Sequence, residues 1–319
     1  VKSRAQHRPF LFLISHFSFL ISHFPMISVL ITAYREAQTI GRAIEAFQAQ
    51  LPADSEILVV CPDVETTAVV QQYAAQFPHI RHVPEPEKKG KPHALNLGLA
   101  TAMGDIIVFS DGDVFVDAEA LASLLAPFVE AQVGAVSGRP VSISPRNTKL
   151  GYWSHLLVEG AHQARLARET AGQFLLCSGY LFAARATLIP PIPEDALAED
   201  AVISQRIAEQ GYRIRYASEA EVYIKYPTTY ADWLRQKVRS AGGYAQDYVW
   251  NSPYQMRSAG QEIRHGLWHT LTFAKSLREF GWTLQLLAAR LHLWGLVWWQ
   301  VRVRKRPLSE LWQRVESTK

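Results

Sequence analysis

Asp105-Ile106-Ile107-Val108-Phe109-Ser110-Asp111-Gly112-Asp113 is a short apolar strand that ends in two carboxylates. In an open α/β sheet, ligands bind beyond the carboxyl ends of the strands, and a glycine at 112 lets the chain turn sharply enough for both acids to converge. Convergent carboxylates suit a hard divalent cation, which often arrives with phosphate oxygens attached. The Asp-Gly-Asp triplet alone is a weak signal, because the same triplet is common in solvated turns. A calcium loop is also conceivable with Asp117 nearby, but the later Gly and closing Glu of such loops are missing.

Upstream of this stretch, strand and helix patterns alternate. Ile27 to Thr32 is a continuous apolar strand, and Ile40, Ala43, Ile44 and Phe47 follow at helical spacing. Glu56 to Cys61 reads as a second strand, then a helix carries Val69, Val70, Tyr73 and Phe77, and a further helix begins near Lys91. Such βαβ alternation predicts a Rossmann-like α/β fold, a mostly parallel sheet with helices on both faces. Downstream the pattern loosens. It predicts a helix from about Ala118, a strand over 133–136, a long helix over 152–168, a strand over 175–183 and a helix over 200–210. Two short strands over 213–216 and 221–226 and a helix between Tyr230 and Tyr248 complete the expected domain, residues 26–250.

The 319-residue chain is 48% hydrophobic, enough for a large core and unlike a disordered chain. Its two cysteines, Cys61 and Cys177, lie in separate apolar runs, so neither a disulfide framework nor a zinc site is expected, and a reducing compartment is the default. A net charge of only +4, spread along the chain, speaks against nucleic acid as a partner.

The two ends differ from the body. Phe-Leu-Ile-Ser-His-Phe occurs twice within residues 12–24, after Lys2, Arg4 and Arg8, without a small-residue cleavage site and in a run shorter than the roughly 20 residues a spanning helix needs. Residues 1–25 are expected to be a non-native or targeting extension, with Met26 as the true start. At the other end, within residues 251–319, Phe280, Leu284, Leu287, Leu291, Trp294 and Trp298 form one helical stripe. Arg278, Glu279, Gln285, Arg290 and His292 lie opposite, and Arg302, Arg304, Lys305 and Arg306 follow. A Trp-rich amphipathic helix before a basic cluster matches a segment lying on an anionic membrane surface, at its cytoplasmic face, ahead of packing on its own domain. Spanning is disfavoured, since Arg290 near the centre would cost about 2.5 to 3.5 kcal/mol.

Three further segments can carry chemistry. Glu199-Asp200 opens a helix, where a carboxylate is either a simple cap or, at the rim of a cleft, a proton acceptor for an attacking hydroxyl. Gly90-Lys91 starts another helix, where backbone N–H groups and a lysine attract anions, although for this segment on its own a solvated basic loop comes first. Gln236 and Arg239 share a helix face by their spacing of three, as on many exposed helices.

In order and spacing, these segments resemble the family 2 glycosyltransferases of GT-A fold over about residues 27–248. The resemblance rests on Ile31-Thr32-Ala33-Tyr34-Arg35-Glu36, Gly90-Lys91-Pro92-His93-Ala94-Leu95-Asn96, Ser110-Asp111-Gly112-Asp113, Ser178-Gly179, and Glu199-Asp200 leading into Gly211-Tyr212-Arg213. By position it implies that Ala33, Tyr34 and Glu36 form the nucleotide-binding turn and that Asp63 contacts the base, although Cys61-Pro62-Asp63 departs from the commoner Asp-rich form. Gly90 and Lys91 would line the nucleotide pocket, Asp111 with Gly112 the ribose side, and Asp113 would hold Mn²⁺ or Mg²⁺. Ser178, Gly179, Glu199, Gln236 and Arg239 fall to the diphosphate or the acceptor, and Asp200 to the catalytic base. Ser240 stands where the Gln-x-x-Arg-Trp signature of processive synthases has its Trp, which favours single-sugar transfer.

The resemblance thus implies an inverting, metal-dependent transfer from a nucleotide diphosphate sugar, expected to be UDP-linked, to a glycan or lipid-linked acceptor at the membrane. Lys91 or Arg239 would add to the stabilisation of the leaving group. A sugar nucleotidyltransferase, which would release pyrophosphate, and an inactive membrane-associated scaffold are the alternatives.

Overall fold

A computed structural model describes residues 25–256 and 272–299. The expected extension, apart from Pro25, and the basic run at 302–306 lie outside the described residues, as does the side chain of Trp298. The first half alternates as the apolar runs predict: β1 (Ile27–Thr32), α1 (Ile40–Gln48), β2 (Glu56–Cys61), α2 (Val64–Gln76), β3 (Ile80–Pro84), α3 (Lys91–Thr101) and β4 (Ile106–Asp111). Next come β5 (Phe115–Val116), α4 (Ala120–Leu125), β6 (Val133–Ser142), α5 (Lys149–Thr170), β7 (Leu181–Arg185), α6 (Glu199–Glu209) and β8 (Arg213–Ile224). Helices α7 (Tyr230–Gly243), α8 (Asp247–Trp250) and α9 (Leu277–Trp298) close the described chain.

The strands form one sheet in the order β3-β2-β1-β4-β7-β6-β8-β5. Strands β1, β2, β3 and β4 run parallel, as does the β6–β8 pair, whereas β7 is antiparallel to both β4 and β6, and β5 to β8. Every residue of β1 and β2 is buried because helices cover both faces. Alternation divides β1 between two cores: Val29 and Ile31 pack with Ile40, Ile44 and Phe47 of α1, and Leu30 packs with Ala94 and Leu95 of α3. Phe109 and Phe182 stack at 4.4 Å across the β4–β7 junction, joining the parallel half to the antiparallel one.

Several boundaries differ from the sequence reading. Strands β3 and β5 are additional: the first is a sheet edge carrying Arg81 and His82, and the second has two residues, so neither presents a continuous apolar run. Strand β6 continues to Ser142, and β7 starts only at Leu181, since Leu175 to Cys177 are buried without joining a strand. The two short strands expected over 213–226 are one strand of 12 residues, whose partner β6 shifts register between Ser137 and Arg139.

Helix α9 also packs differently. Thr283, Leu286, Ala289, Leu293 and Val297 are buried against the body. Three of the residues read as its polar face serve as anchors: Glu279 accepts two bonds from the Arg146 guanidinium at 3.0 and 3.2 Å, Arg278 donates to the Asn147 carbonyl, and His292 pairs with the Tyr230 hydroxyl at 2.9 Å. The expected apolar stripe therefore faces outward, with Phe280, Leu284, Leu291 and Trp294 all exposed and Leu287 only partly covered. Packing on the domain is real, through a second face that the stripe had concealed.

At the amino ends of the strands, the buried Glu56 accepts from Ser28 Oγ at 2.6 Å and from the Met103 N–H, while Ser28 Oγ accepts from the Gly104 N–H at 2.8 Å. A Cβ on Gly104 would lie 2.4 Å from Ser28 N and 2.9 Å from Ile27 C, atoms of the β1 backbone that cannot swing aside. Gly104→Ala is expected to destabilise the protein by about 1–3 kcal/mol, the usual cost of overpacking, read as a lowered thermal midpoint.

Candidate active site

The parallel ladders fix the site edge. Thr32 is opposite Asp111 in the β1–β4 ladder, the Gly112 N–H donates to the Thr32 carbonyl at 3.0 Å, and the Ala33 N–H donates to the Val60 carbonyl at 3.0 Å. The turn after β1 therefore lies against the turn after β4. Gly112 is required there for close approach rather than for a left-handed φ: a Cβ would come 2.5 Å from Glu36 Oε2 and 2.8 Å from the Ala33 Cβ. Arg35, between Tyr34 and Glu36, does adopt a left-handed φ of 54°. Its N–H donates to Asp63 Oδ2 at 2.7 Å, which helps to hold this uncommon conformation.

Asp63 has a second task as the N-cap of α2, accepting at Oδ1 from the Thr66 N–H at 3.0 Å and the Thr66 hydroxyl at 2.7 Å. Burial opposes its charge, but these hydrogen bonds outweigh that and hold the carboxyl below its ordinary range. Both oxygens are thus engaged in shaping the turn that carries Tyr34 and Glu36. Over the Tyr34 ring sit two cations with no role of their own in the sequence reading, Lys88 Nζ at 3.7 Å and the Arg35 guanidinium at 5.3 Å.

Gly90, with φ of 106°, caps α3, and the helix opens with Lys91 and Pro92. Lys91 is partly buried and already paired rather than simply waiting for an anion. Its Nζ is 2.7 Å from Asp111 Oδ1 and 2.7 Å from Glu199 Oε1. Burial disfavours the ammonium, yet the two carboxylates more than offset this and raise its pKa. Burial also raises the Asp111 pKa against the pull of Lys91, with the nearby Asp113 charge adding to the rise. Glu199 shifts the other way, because Lys91 first and Arg239 after it overcome its burial.

Because β7 is antiparallel to β4, its amino end reaches the same edge, with Leu181 opposite Ser110. The preceding turn holds Ser178, which donates its N–H to Ser137 Oγ, and Gly179, which donates its N–H to Asp200 Oδ2 at 3.0 Å. Asp200 Oδ1 accepts from the Ala201 N–H at 2.9 Å, and the residue is only partly buried. It does not cap α6; the capping position belongs to Ala198. Asp200 thus sits at the rim with both oxygens oriented, while its neighbour Glu199 is tied to Lys91. Tyr180 completes the edge and escaped the sequence reading. Asp111, Asp113, Tyr226 and Arg239 are its electrostatic neighbours, and the signal for it was an aromatic directly after Ser178-Gly179. Arg239, on α7, thereby belongs to the cluster. Gln236 Oε1, one turn earlier, is buried and accepts no hydrogen bond among the described residues.

Among the described residues, no three His, Cys, Asp or Glu side chains converge as a metal cage. Asp113 is partly exposed beside Asp111, whose own carboxylate is taken by Lys91. A single carboxylate at such an edge fits a cation that takes its remaining ligands from phosphate oxygens and water, as Mg²⁺ commonly does.

Solved structures share this architecture. A mannosyltransferase from Pyrobaculum calidifontis, solved with GDP-Man and Mn²⁺, superposes with a TM-score of 0.60 at 21% identity over 95% of this chain and 89% of its own. Mannosyl-3-phosphoglycerate synthase from Rubrobacter xylanophilus gives 0.50 at 17% identity over 74% and 78%. The fold is therefore that of the GT-A glycosyltransferases. The family model "Glycosyltransferase like family 2" matches residues 25–243, and the chain belongs to that family. A probable glycosyltransferase of Bacillus subtilis, YdaM, is 29% identical over 69% of this chain and 55% of its own, and a Staphylococcus aureus poly-beta-1,6-N-acetyl-D-glucosamine synthase is 25% identical over 68% and 54%. The chain therefore spans about half the length of these curated relatives.

Asp63→Ala is expected to cost about 0.5–2 kcal/mol through the lost cap. Because the folded-state pKa is depressed, the wild-type contribution is whole above about pH 4 and disappears as pH falls through that lower value. Denaturant titrations at neutral pH and at low pH should show the wild-type and variant curves converging on the acid side.

Proposed function

We propose that the enzyme is an inverting glycosyltransferase that moves a sugar from a nucleoside diphosphate donor, UDP-linked in the first instance, to a hydroxyl of a glycan or lipid acceptor. The observation that carries this reading is the orientation of Asp200. It lies partly exposed in the first turn of α6, and the Gly179 N–H, from the turn that precedes β7, donates to its Oδ2 at 3.0 Å. A base oriented in this way at the rim suits a single displacement. Asp200 accepts the acceptor's hydroxyl proton as that oxygen bonds to the anomeric carbon, and the bond from that carbon to the diphosphate oxygen breaks. A divalent cation, Mn²⁺ or Mg²⁺, when bound would neutralise charge on the departing diphosphate, and Asp113 is the residue to hold it. Arg239, beside Glu199 and Tyr180, supplies further positive charge on the same side. The turn of Ala33, Tyr34 and Glu36, with Gly90 and Gly112, forms the nucleotide side, and Ser178 and Gly179 separate it from the base. Asp63 acts there by shaping the turn, and Ser240 in place of a Trp after Arg239 favours transfer of one sugar.

Asp200→Asn is expected to lower kcat about 10²–10⁴-fold, the usual scale for a general base, while nucleoside diphosphate binding measured by calorimetry stays intact. Nucleoside diphosphate release across a donor panel, with Mn²⁺ and with chelator, reads both the donor and the metal. Full turnover by the variant would remove Asp200 from the mechanism, and full turnover in chelator would remove the cation.

The acceptor side extends to a membrane surface in this reading. No helix among the described residues is long and apolar enough to cross a membrane. The outer face of α9 nonetheless exposes Leu277, Phe280, Leu284, Leu291 and Trp294, and in sequence the basic residues Arg302, Arg304, Lys305 and Arg306 follow soon after. Apolar contact and positive charge together match an anionic lipid surface, at the cytoplasmic face of the membrane where a soluble donor and a lipid-linked acceptor would meet. Leu284→Asp with Leu291→Asp should weaken sedimentation with phosphatidylglycerol vesicles by at least about tenfold, since each buried leucine contributes about 1.5–3 kcal/mol. Unchanged sedimentation would eliminate this face as the contact.

A further inference from the structure

We infer that Lys91 and Glu199 form a positioning pair, an ionic strut across the cleft that holds the base side in register with the donor side. This inference rests on the reading of Asp200 as the base. The geometry is a single ammonium bound at 2.7 Å by carboxylates from two unrelated elements, Asp111 at the end of β4 and Glu199 in the first turn of α6. Glu199 is 8% exposed and Asp200 follows it on the same helical turn, so the place of Glu199 sets the start of α6 and with it the Asp200 carboxylate. Gly179 restrains Asp200 from the other side: its N–H bonds Oδ2, and a Cβ there would already press on that oxygen at 3.3 Å. Lys91 is itself fixed, because it opens α3 directly after the left-handed Gly90 and before Pro92. Each end of the strut is thus anchored in a helix start. Lys91 then acts on catalysis through Glu199 rather than by contacting the diphosphate.

The test is a double-mutant cycle in the full chain, with Lys91→Met, Glu199→Gln and the double variant, reading kcat at saturating donor, the Kd of nucleoside diphosphate with Mn²⁺, and the thermal midpoint. Each single variant is expected to lose about 10- to 100-fold in kcat, the scale of a small misplacement of a reacting group. Nucleoside diphosphate Kd should stay within about threefold of wild type, separating kcat from binding. The double variant should be no worse than the poorer single one, because both remove the same pair. Lys91→Arg, which keeps the charge, should recover most of the loss and decides the matter if Lys91→Met fails to fold. Losses that multiply in the double variant, or a Lys91 variant whose Kd rises more than about tenfold at unchanged kcat, would overturn the strut and make Lys91 a phosphate ligand. An active Asp200→Asn would instead defeat the base assignment whatever the cycle returns, so the two failures are distinguishable.

Discussion

Strands β1 and β4 run side by side with Thr32 opposite Asp111, and the site depends on how closely their carboxyl ends meet. The backbone bond from Gly112 to the Thr32 carbonyl leaves no volume at residue 112, where the Glu36 carboxylate and the Ala33 methyl already occupy the space a side chain would need. Every other component refers to that junction. Asp63 holds the left-handed Arg35 on one side of it, and Lys91 reaches Asp111 on the other. The antiparallel β7 then delivers the Gly179 turn and, through it, Asp200.

The electrostatic design follows from that crowding. Acidic side chains gathered in one cleft repel one another, and each additional charge there makes the next harder to ionise. The protein resolves this by inserting a lysine between Asp111 and Glu199 and an arginine near Glu199. Asp113 and Asp200 are left at the rim. In the proposed mechanism the first serves a cation and the second a proton. Shared charge around Lys91 and partly exposed acids at the rim thus arise from one arrangement.

Much of this was legible in the chain. Apolar runs such as Ile27–Thr32 and Glu56–Cys61 declare buried parallel strands because both of their faces must be covered, and the acids at strand ends and helix starts mark the edge where ligands bind. Strand β3 was not legible, since an edge strand carrying Arg81 and His82 has no continuous apolar pattern to show. The partnership of Lys91 with Glu199 was hidden as well: sequence spacing carries no distance between segments joined only by the order of strands in the sheet. For α9, periodicity located the helix and its outward stripe but did not reveal the second face, which packs on the domain. The stripe of Phe280, Leu284 and Leu291 is the more hydrophobic, whereas the packed face uses smaller residues, Thr283 and Ala289, beside Leu286 and Leu293, and draws on charged residues for its anchors.

Inserting β7 between β4 and β6 has a consequence for synthesis. Asp111 and Asp200 share an edge only after the later strand has threaded in beside the earlier one, so the site is built on contacts between distant parts of the chain, which form slowly. A nascent polypeptide that has emerged only through β4 carries Asp111 but neither the Gly179 turn nor Asp200. Chain elongation therefore imposes an order in which this edge is completed last, by the turn, strand and helix made after β6.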